Sequence, residues 1–313
     1  MRVLLGGDFD DDEGLAWVRA LRQALPEASW LTPEAARADP GAVQVAVVAN
    51  PPPGSLTGLP GLRLIQSLWA GVDRLLADPA LPPGVPVARM VDPAMTAAMA
   101  ETVSWACLAL HRDFFRYAQQ QRAGQWRQLT QRRADECRVL VLGLGEMGRA
   151  AAQRLAGQGY AVTGWSRSGR HELPGVPVLT GDLGLAEGLA HAQIVVNLLP
   201  LTAATRGLLD ARLFAALPAG ASVVNLGRGA HLVEADLLDA LDRGALHHAV
   251  LDVFQHEPLP ADHAFWRHPQ VTVLPHVAAQ TDPRSASAVV AANLRALRDG
   301  RPLQHLVDRS RGY

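Results

Sequence analysis

Short runs of apolar residues alternate with longer stretches in which apolar positions recur every three or four residues, and this alternation covers most of the chain. It predicts βα units around parallel sheets. A strand buried on both faces reads as a continuous apolar run, whereas a covering helix shows a 3.6-residue stripe. In the first hundred residues Val3 to Leu5, Val43 to Val48, Leu62 to Ile65 and Val85 to Met90 are predicted strands, and Leu15 to Leu25 is a predicted helix. Pro51-Pro52-Pro53-Gly54 and Pro82-Pro83-Gly84 punctuate them as turns. From Ala94 to about Gln121 the helical stripe runs through Val103, Ala106, Cys107 and Leu110 without Gly or Pro, which predicts one long connecting helix. A second series follows, with strands at Arg138 to Leu142, Ala161 to Trp165, Ile194 to Leu198, Ser222 to Asn225, His248 to Leu251 and Val271 to Leu274. Six strands are the set expected of a dinucleotide-binding domain. Ala286 to Arg298 reads as a final helix.

Composition narrows the chemistry. At 313 residues two domains are expected. The 29 basic residues nearly cancel the 30 acidic ones, and no basic run could track a phosphate backbone, so nucleic acid is excluded as an expected partner. Every basic residue is Arg, since the sequence contains no Lys. That removes lysine Schiff bases, the phosphate-binding lysine of a Walker A loop and the ion-paired lysine of kinases. Cys107 and Cys137 are too few for a disulfide framework or a thiolate zinc site and read as small buried residues. Asp8 and the run Asp10 to Glu13 precede any long apolar stretch, and no run of 18 consecutive apolar residues occurs. The expectation is a soluble cytoplasmic protein without signal peptide or membrane partner.

Gly143-Leu144-Gly145-Glu146-Met147-Gly148 lies between the predicted strand ending at Leu142 and a helical run from Arg149 to Gln158. In that setting the first glycine permits the tight turn, the second admits a pyrophosphate and the third lets helix pack on strand, while the helix N-terminus faces the negative charge. About twenty residues on, where an NAD site places a carboxylate for the ribose, the chain reads Gly164-Trp165-Ser166-Arg167-Ser168, followed by Arg170. Arginines flanked by hydroxyls suit a 2′-phosphate, so NADP(H) is expected to be preferred over NAD(H).

Polar residues recur just past the later strands: Arg228, then Asp252 and Glu257, then His276. Such strand ends line the ligand crevice of an open α/β sheet. An arginine can grip the carboxylate and carbonyl oxygens of a 2-oxo acid, and an imidazolium can protonate the carbonyl as hydride arrives at carbon. A neighbouring carboxylate would keep that donor protonated. The other ten histidines read as ordinary loop polarity. Two rival chemistries come close. His256-Glu257-Pro258-Leu259-Pro260 begins like a zinc protease but lacks the second His and the helix, so no metal is expected. Gly164 to Ser168 approaches a nucleophile elbow, with Ser166 as nucleophile and Asp252 and His276 following in the order of an α/β-hydrolase, but Ser168 stands where glycine belongs.

Five ordered motifs then carry a resemblance. The glycine loop, Asn197-Leu198-Leu199-Pro200-Leu201-Thr202, Asn225-Leu226-Gly227-Arg228-Gly229, Leu251-Asp252-Val253-Phe254 with Glu257-Pro258-Leu259, and Pro275-His276-Val277-Ala278-Ala279 resemble the D-isomer-specific 2-hydroxyacid dehydrogenases. Within that family the chain is most similar to the glyoxylate/hydroxypyruvate reductase A type, including Trp165-Ser166-Arg167 and the ending Asp308 to Tyr313. The resemblance implies two parallel-sheet α/β domains separated by an active-site cleft: a flavodoxin-like substrate-binding domain at 1–103 and 284–313, and a Rossmann domain at 104–283. It implies that Arg228, Glu257 and His276 are catalytic, with Arg228 binding substrate. Gly143, Gly145, Glu146, Met147, Gly148, Ser166, Arg167, Ser168, Leu199, Pro200, Leu226, Gly227, Asp252, His276 and Ala278 would bind the cofactor. Substrate carboxylate would meet the segment Trp69-Ala70-Gly71 through backbone N–H groups, chiefly of Ala70 and Gly71. Here the chain departs from its relatives. Trp69 replaces a small residue, and Ala49-Asn50 stands where some reductases carry an aromatic, so Trp69 either closes the substrate pocket or is a core aromatic. The resemblance also implies a homodimer acting on small 2-oxo or 2-hydroxy acids; the alternative is a dinucleotide-sensing scaffold with the same fold.

Overall fold

The computed structural model describes residues 1–167 and 172–313. It forms two compact units, Met1–Met95 with Thr281–Tyr313, and Thr96–Gln280. The first unit begins with β1 (Arg2–Gly7), α1 (Asp11–Ala24), β2 (Ser29–Leu31), α2 (Pro33–Ala38), β3 (Val45–Ala49), β4 (Leu64–Ser67), α3 (Asp73–Leu76) and β5 (Val87–Ala88). Helix α4 (Pro93–His111) carries the chain into the second unit, which opens with α5 (Phe114–Arg122), β6 (Arg138–Leu142) and α6 (Glu146–Gly157). It continues through β7 (Ala161–Ser166), β8 (Val178–Thr180), α7 (Gly181–His191), β9 (Ile194–Asn197), α8 (Ala211–Ala215) and β10 (Ala221–Asn225). Helix α9 (Glu234–Asp242), β11 (Leu246–Leu251) and β12 (Val271–Val273) complete it, and α10 (Pro283–Arg298) belongs again to the first unit.

The first unit is a five-stranded parallel sheet in the order β2-β1-β3-β4-β5, the flavodoxin-like arrangement. Its central strand β3, Val-Ala-Val-Val-Ala, is buried at every residue, as a continuous apolar run requires. Helix α1 starts where the Asp10 carboxylate accepts the Glu13 N–H at 2.8 Å, and buries Trp17 and Leu21 four residues apart. It packs on α10, which starts at the capping residue Asp282 and Pro283 and buries Ala286, Val290 and Leu294 at four-residue steps. Arg295 closes the pair by donating to Glu27 at 2.9 Å and to the Ala24 carbonyl at 2.8 Å.

The second unit is a seven-stranded parallel sheet in the order β12-β11-β10-β9-β6-β7-β8. From β6 the chain winds outward to β7 and β8, then returns to the other side for β9 to β12. Strands β6 and β9 therefore flank the point where the winding reverses, which is where open α/β sheets bind ligands. Apolar cores lie on both faces of this sheet, one around Val139, Val141, Val196 and Val224, the other around Leu140, Leu142, Val195 and Val223.

Two sequence expectations need correction. The six strands of the second series become seven, because β8 adds a three-residue strand beside β7; β2 adds one to the first unit. The long helix from Ala94 to Gln121 is two helices, interrupted where Asp113 adopts a left-handed backbone at φ 57°. The compact units divide after Met95 and after Gln280, whereas the sequence reading placed the boundaries after 103 and 283. Cys107 and Cys137 are fully buried free thiols, and burial pushes the Cys107 thiol up. Among the described residues no helix is long and apolar enough to cross a membrane.

Candidate active site

The residues singled out in the second unit gather at the carboxyl ends of its strands, because the apolar runs stop there and the loops carry glycine and polar side chains. The loop after β6 is shaped by glycine. Gly143 has φ +94°, a left-handed backbone that side chains disfavour, and a Cβ on Gly148 would fall on the Gly143 carbonyl oxygen. At Gly145 a Cβ would meet nothing within 4 Å, so the turn stays open above the start of α6. Gly145 also provides no side-chain cap, unlike Asp10 at α1, which leaves the first N–H groups of α6 to a ligand. Glu146 and Met147 form its exposed and half-buried first turn.

At the end of β7, Ser166 is buried, yet its Oγ has no hydrogen-bond partner among the described residues. A buried hydroxyl without a partner costs about 1–3 kcal/mol, so a ligand atom at this position would relieve it. Arg167 is exposed beside it. Ser168 and Arg170 lie outside the described residues. The dinucleotide therefore fits what is present: an open glycine turn, an uncapped helix N-terminus and an unpartnered hydroxyl where its ribose would lie.

Beyond β10 to β12 the polar groups are tied together. His276 Nδ1–H donates to Glu257 Oε2 at 2.7 Å, and Glu257 Oε1 accepts the Phe254 N–H at 2.9 Å. His276 Nε2 has no partner among the described residues, and the side chain is 53% exposed, so this nitrogen can be reached from solvent. The hydrogen bond to Glu257 raises the His276 pKa, against burial and the Arg228 charge. Burial works to raise the Glu257 pKa, but hydrogen bonds from His276 and the Phe254 amide, with the charges of His276 and Arg228, outweigh it and lower the value. The pair thus favours imidazolium beside carboxylate.

Asp252 is 1% exposed, and its hydrogen bonds go to backbone rather than to the imidazole. Its carboxylate accepts the N–H groups of Val277 at 2.7 Å and Ala278 at 3.1 Å, while its carbonyl accepts the His276 N–H at 2.9 Å. These bonds hold the loop after β12, where His276 itself has φ +54°. Burial raises the Asp252 pKa, and the two amides oppose it. The hydrolase alternative fails on this geometry, since His276 pairs with Glu257 rather than Asp252 and Ser166 Oγ meets no base among the described residues.

Arg228 follows β10. A Cβ on Gly229 would collide with the Phe254 carbonyl, so the loop that carries Arg228 lies directly on the backbone leading to Glu257. Arg228 Nη1–H donates to the Gly227 carbonyl at 2.8 Å, and its charge reaches both members of the His276–Glu257 pair. Leu199 and Leu226 are buried, with Pro200 and Gly227 beside them. Sequence reasoning assigned nothing to Asn197 and Asn225 and read His231 as loop polarity, yet all three are fully buried and hydrogen-bonded to one another or to these loops.

In the first unit the turn after β4 is held by Ser67, whose Oγ accepts the Trp69 N–H at 3.0 Å. Among the described residues the N–H groups of Ala70 and Gly71 have no partner. The Trp69 ring is half-buried and stands edge-on to the fully buried Trp17, with centroids 6.4 Å apart.

Residues 104–278 match the family model described as D-isomer specific 2-hydroxyacid dehydrogenase, NAD binding domain. The chain is 40% identical over 305 residues to glyoxylate/hydroxypyruvate reductase A of Serratia proteamaculans, covering 95% of this chain and 96% of the relative. Among solved structures it is similar to a D-isomer specific 2-hydroxyacid dehydrogenase from Xanthobacter autotrophicus in complex with NADPH and MES, at 41% identity and a TM-score of 0.94, covering 99% of both chains. An NADPH-dependent glyoxylate/hydroxypyruvate reductase from Sinorhizobium meliloti, in complex with NADP and sulfate, matches at 36% identity and TM-score 0.91 over 100% of this chain and 99% of that one.

Proposed function

This chain belongs to the D-isomer-specific 2-hydroxyacid dehydrogenases, and on that premise we propose that it reduces glyoxylate and hydroxypyruvate with NADPH, using His276 as proton donor. The observation that carries the reading is the 2.7 Å pair of His276 and Glu257 at the strand ends, with the outer imidazole nitrogen open and Arg228 within electrostatic reach. When bound, NADPH supplies the hydride. Arg228 grips the substrate carboxylate and carbonyl oxygens, and its charge favours the negative charge that grows on the carbonyl oxygen. His276 Nε2–H gives its proton to that oxygen, leaving a neutral imidazole to be reprotonated from solvent. Glu257 keeps the imidazole charged and oriented before the step.

The remaining assignments follow the same reading. Gly143, Gly145, Glu146, Met147 and Gly148 hold the pyrophosphate end, and Ser166, Arg167 and Ser168 hold the 2′-phosphate. Leu199, Pro200, Leu226, Gly227, Asp252 and Ala278 hold the remainder of the cofactor with His276. The N–H groups of Ala70 and Gly71, free of partners in their own unit, serve the substrate carboxylate, with Trp69 beside them. The protein acts in the cytoplasm and as a homodimer; exposed Trp105, Leu108 and Phe114, together with Trp126, which is 95% exposed, support the homodimer.

The test is the pH profile of NADPH oxidation. Reduction needs the imidazolium, so the rate falls as pH rises through the raised pKa of His276. Glu257→Gln removes the carboxylate charge, lowers that pKa and moves the fall to lower pH. Absence of NADPH oxidation with glyoxylate, hydroxypyruvate or any other small 2-oxo acid would sink the proposal; an unmoved profile in Glu257→Gln would remove Glu257 as the partner.

A further inference from the structure

Strands β9 and β10 end side by side in asparagine, Asn197 opposite Asn225, and both side chains are fully buried. Asn197 Nδ2–H donates to Asn225 Oδ1 at 2.9 Å, Asn197 Oδ1 accepts the Leu199 N–H at 3.3 Å, and Asn225 Nδ2–H donates to the Arg228 carbonyl at 3.1 Å. Against this pair lies His231, also fully buried, in the short turn Gly229–His231. Its Nδ1 is 2.9 Å from Asn197 Nδ2 and 3.2 Å from the Arg228 amide nitrogen, while its Nε2 is 3.2 Å from the Pro200 carbonyl oxygen. Both groups at Nδ1 are donors, and a carbonyl can only accept, so the ring carries its proton on Nε2. The orientation of Asn197 is fixed independently by its bond to Leu199.

We propose that His231 is a positioning residue that fixes the Arg228 backbone through Nδ1 and the Leu199–Pro200 segment through Nε2, so that one imidazole sets the spacing of two loops. The proposal rests on Arg228 binding substrate and Leu199–Pro200 lining the cofactor. The two loops follow different strands and lie far apart in sequence, and the ring bridges the Arg228 amide of one to the Pro200 carbonyl of the other. The turn itself does not depend on the ring: the Leu209 N–H donates to the His231 carbonyl, the Gly207 N–H to that of Ala230 and the Leu232 N–H to that of Gly229, each at 2.9 Å. Losing the imidazole therefore loosens the link between loops without unmaking the turn.

Two substitutions separate the nitrogens. In His231→Asn the amide oxygen can stand near the Nδ1 position and accept the Arg228 N–H, but the side chain is too short to reach Pro200. In His231→Gln the amide nitrogen can reach Pro200, but no acceptor remains for Arg228. His231→Asn is expected to raise the NADPH dissociation constant about tenfold, read by fluorescence titration without substrate, and to change kcat/KM for glyoxylate at saturating NADPH by no more than about twofold. His231→Gln is expected to do the reverse, lowering kcat/KM about tenfold with NADPH binding within about twofold. Equal effects on both constants in a folded variant, or no effect on either, would overturn the proposal. Each variant decides alone if the other does not fold. A wild-type protein that binds NADPH but reduces no 2-oxo acid would instead overturn the proposed reaction, and the NADPH arm would still report on the link to Pro200.

Discussion

Replacing His276 by alanine is expected to lower turnover of the 2-oxo acid at saturating NADPH about 10²- to 10⁴-fold, because general-acid catalysis contributes on that scale. The expectation follows from where the proton sits. Nδ1–H is committed to Glu257 at 2.7 Å, so only Nε2–H faces outward to meet a carbonyl oxygen. Alanine also has to adopt the φ of +54° that His276 holds, a left-handed backbone that it tolerates less well than histidine, which lowers stability without touching the chemistry. Asparagine tolerates this left-handed backbone better, so His276→Asn separates the two effects. Its rate is expected to fall as far as that of His276→Ala with stability closer to wild type. A His276→Asn rate within tenfold of wild type would remove His276 as the donor.

The second large effect concerns cofactor choice. A 2′-phosphate brings about two negative charges and three acceptor oxygens, and Ser166 and Arg167 offer donors where an NAD site would place a carboxylate. Arg167→Ala is expected to weaken NADPH about tenfold to a hundredfold, the loss of one charge-assisted contact, and to leave NADH nearly unchanged. Ser166→Asp is expected to go further, because a carboxylate at the end of β7 repels the phosphate and offers the ribose hydroxyls a partner. The Oγ of Ser166, unpartnered among the described residues, makes the position sensitive, since whatever ligand atom meets it does so in a buried setting. Steady-state kinetics with both cofactors check this. Equal weakening of NADH and NADPH by Arg167→Ala would make the arginine a general surface charge and remove the NADP preference.

The parts of the fold legible in the sequence are those whose burial is uniform. Strands β3, β9 and β10 are buried at every position, and their apolar runs announce them. Strands β2 and β8 are only three residues long, partly exposed, and lie at the outer edges of their sheets, so no run marks them. The break at Asp113 was hidden because neither Gly nor Pro marks it and the helical stripe continues across. In the site, glycines and charges interrupting apolar runs gave away the loops after β6, β10 and β12. His231 could not be told from other loop histidines, since what sets it apart is complete burial among three polar partners. Trp69 shows the same limit. Its edge-on contact with Trp17 depends on how α1 covers the first sheet, which no local pattern encodes.

The central claim is direct hydride transfer to the carbon of a 2-oxo acid with the proton arriving from His276. It is tested most directly by incubating the protein with hydroxypyruvate and NADPH deuterated on both faces of nicotinamide C4, then analysing the product by mass spectrometry and chiral chromatography. The account predicts the D-isomer of the 2-hydroxy acid with one deuterium on C2, formed by the wild-type protein and lost to the expected degree in His276→Asn. A product without deuterium at C2, or formation of the same labelled product at an undiminished rate by His276→Asn, would contradict it.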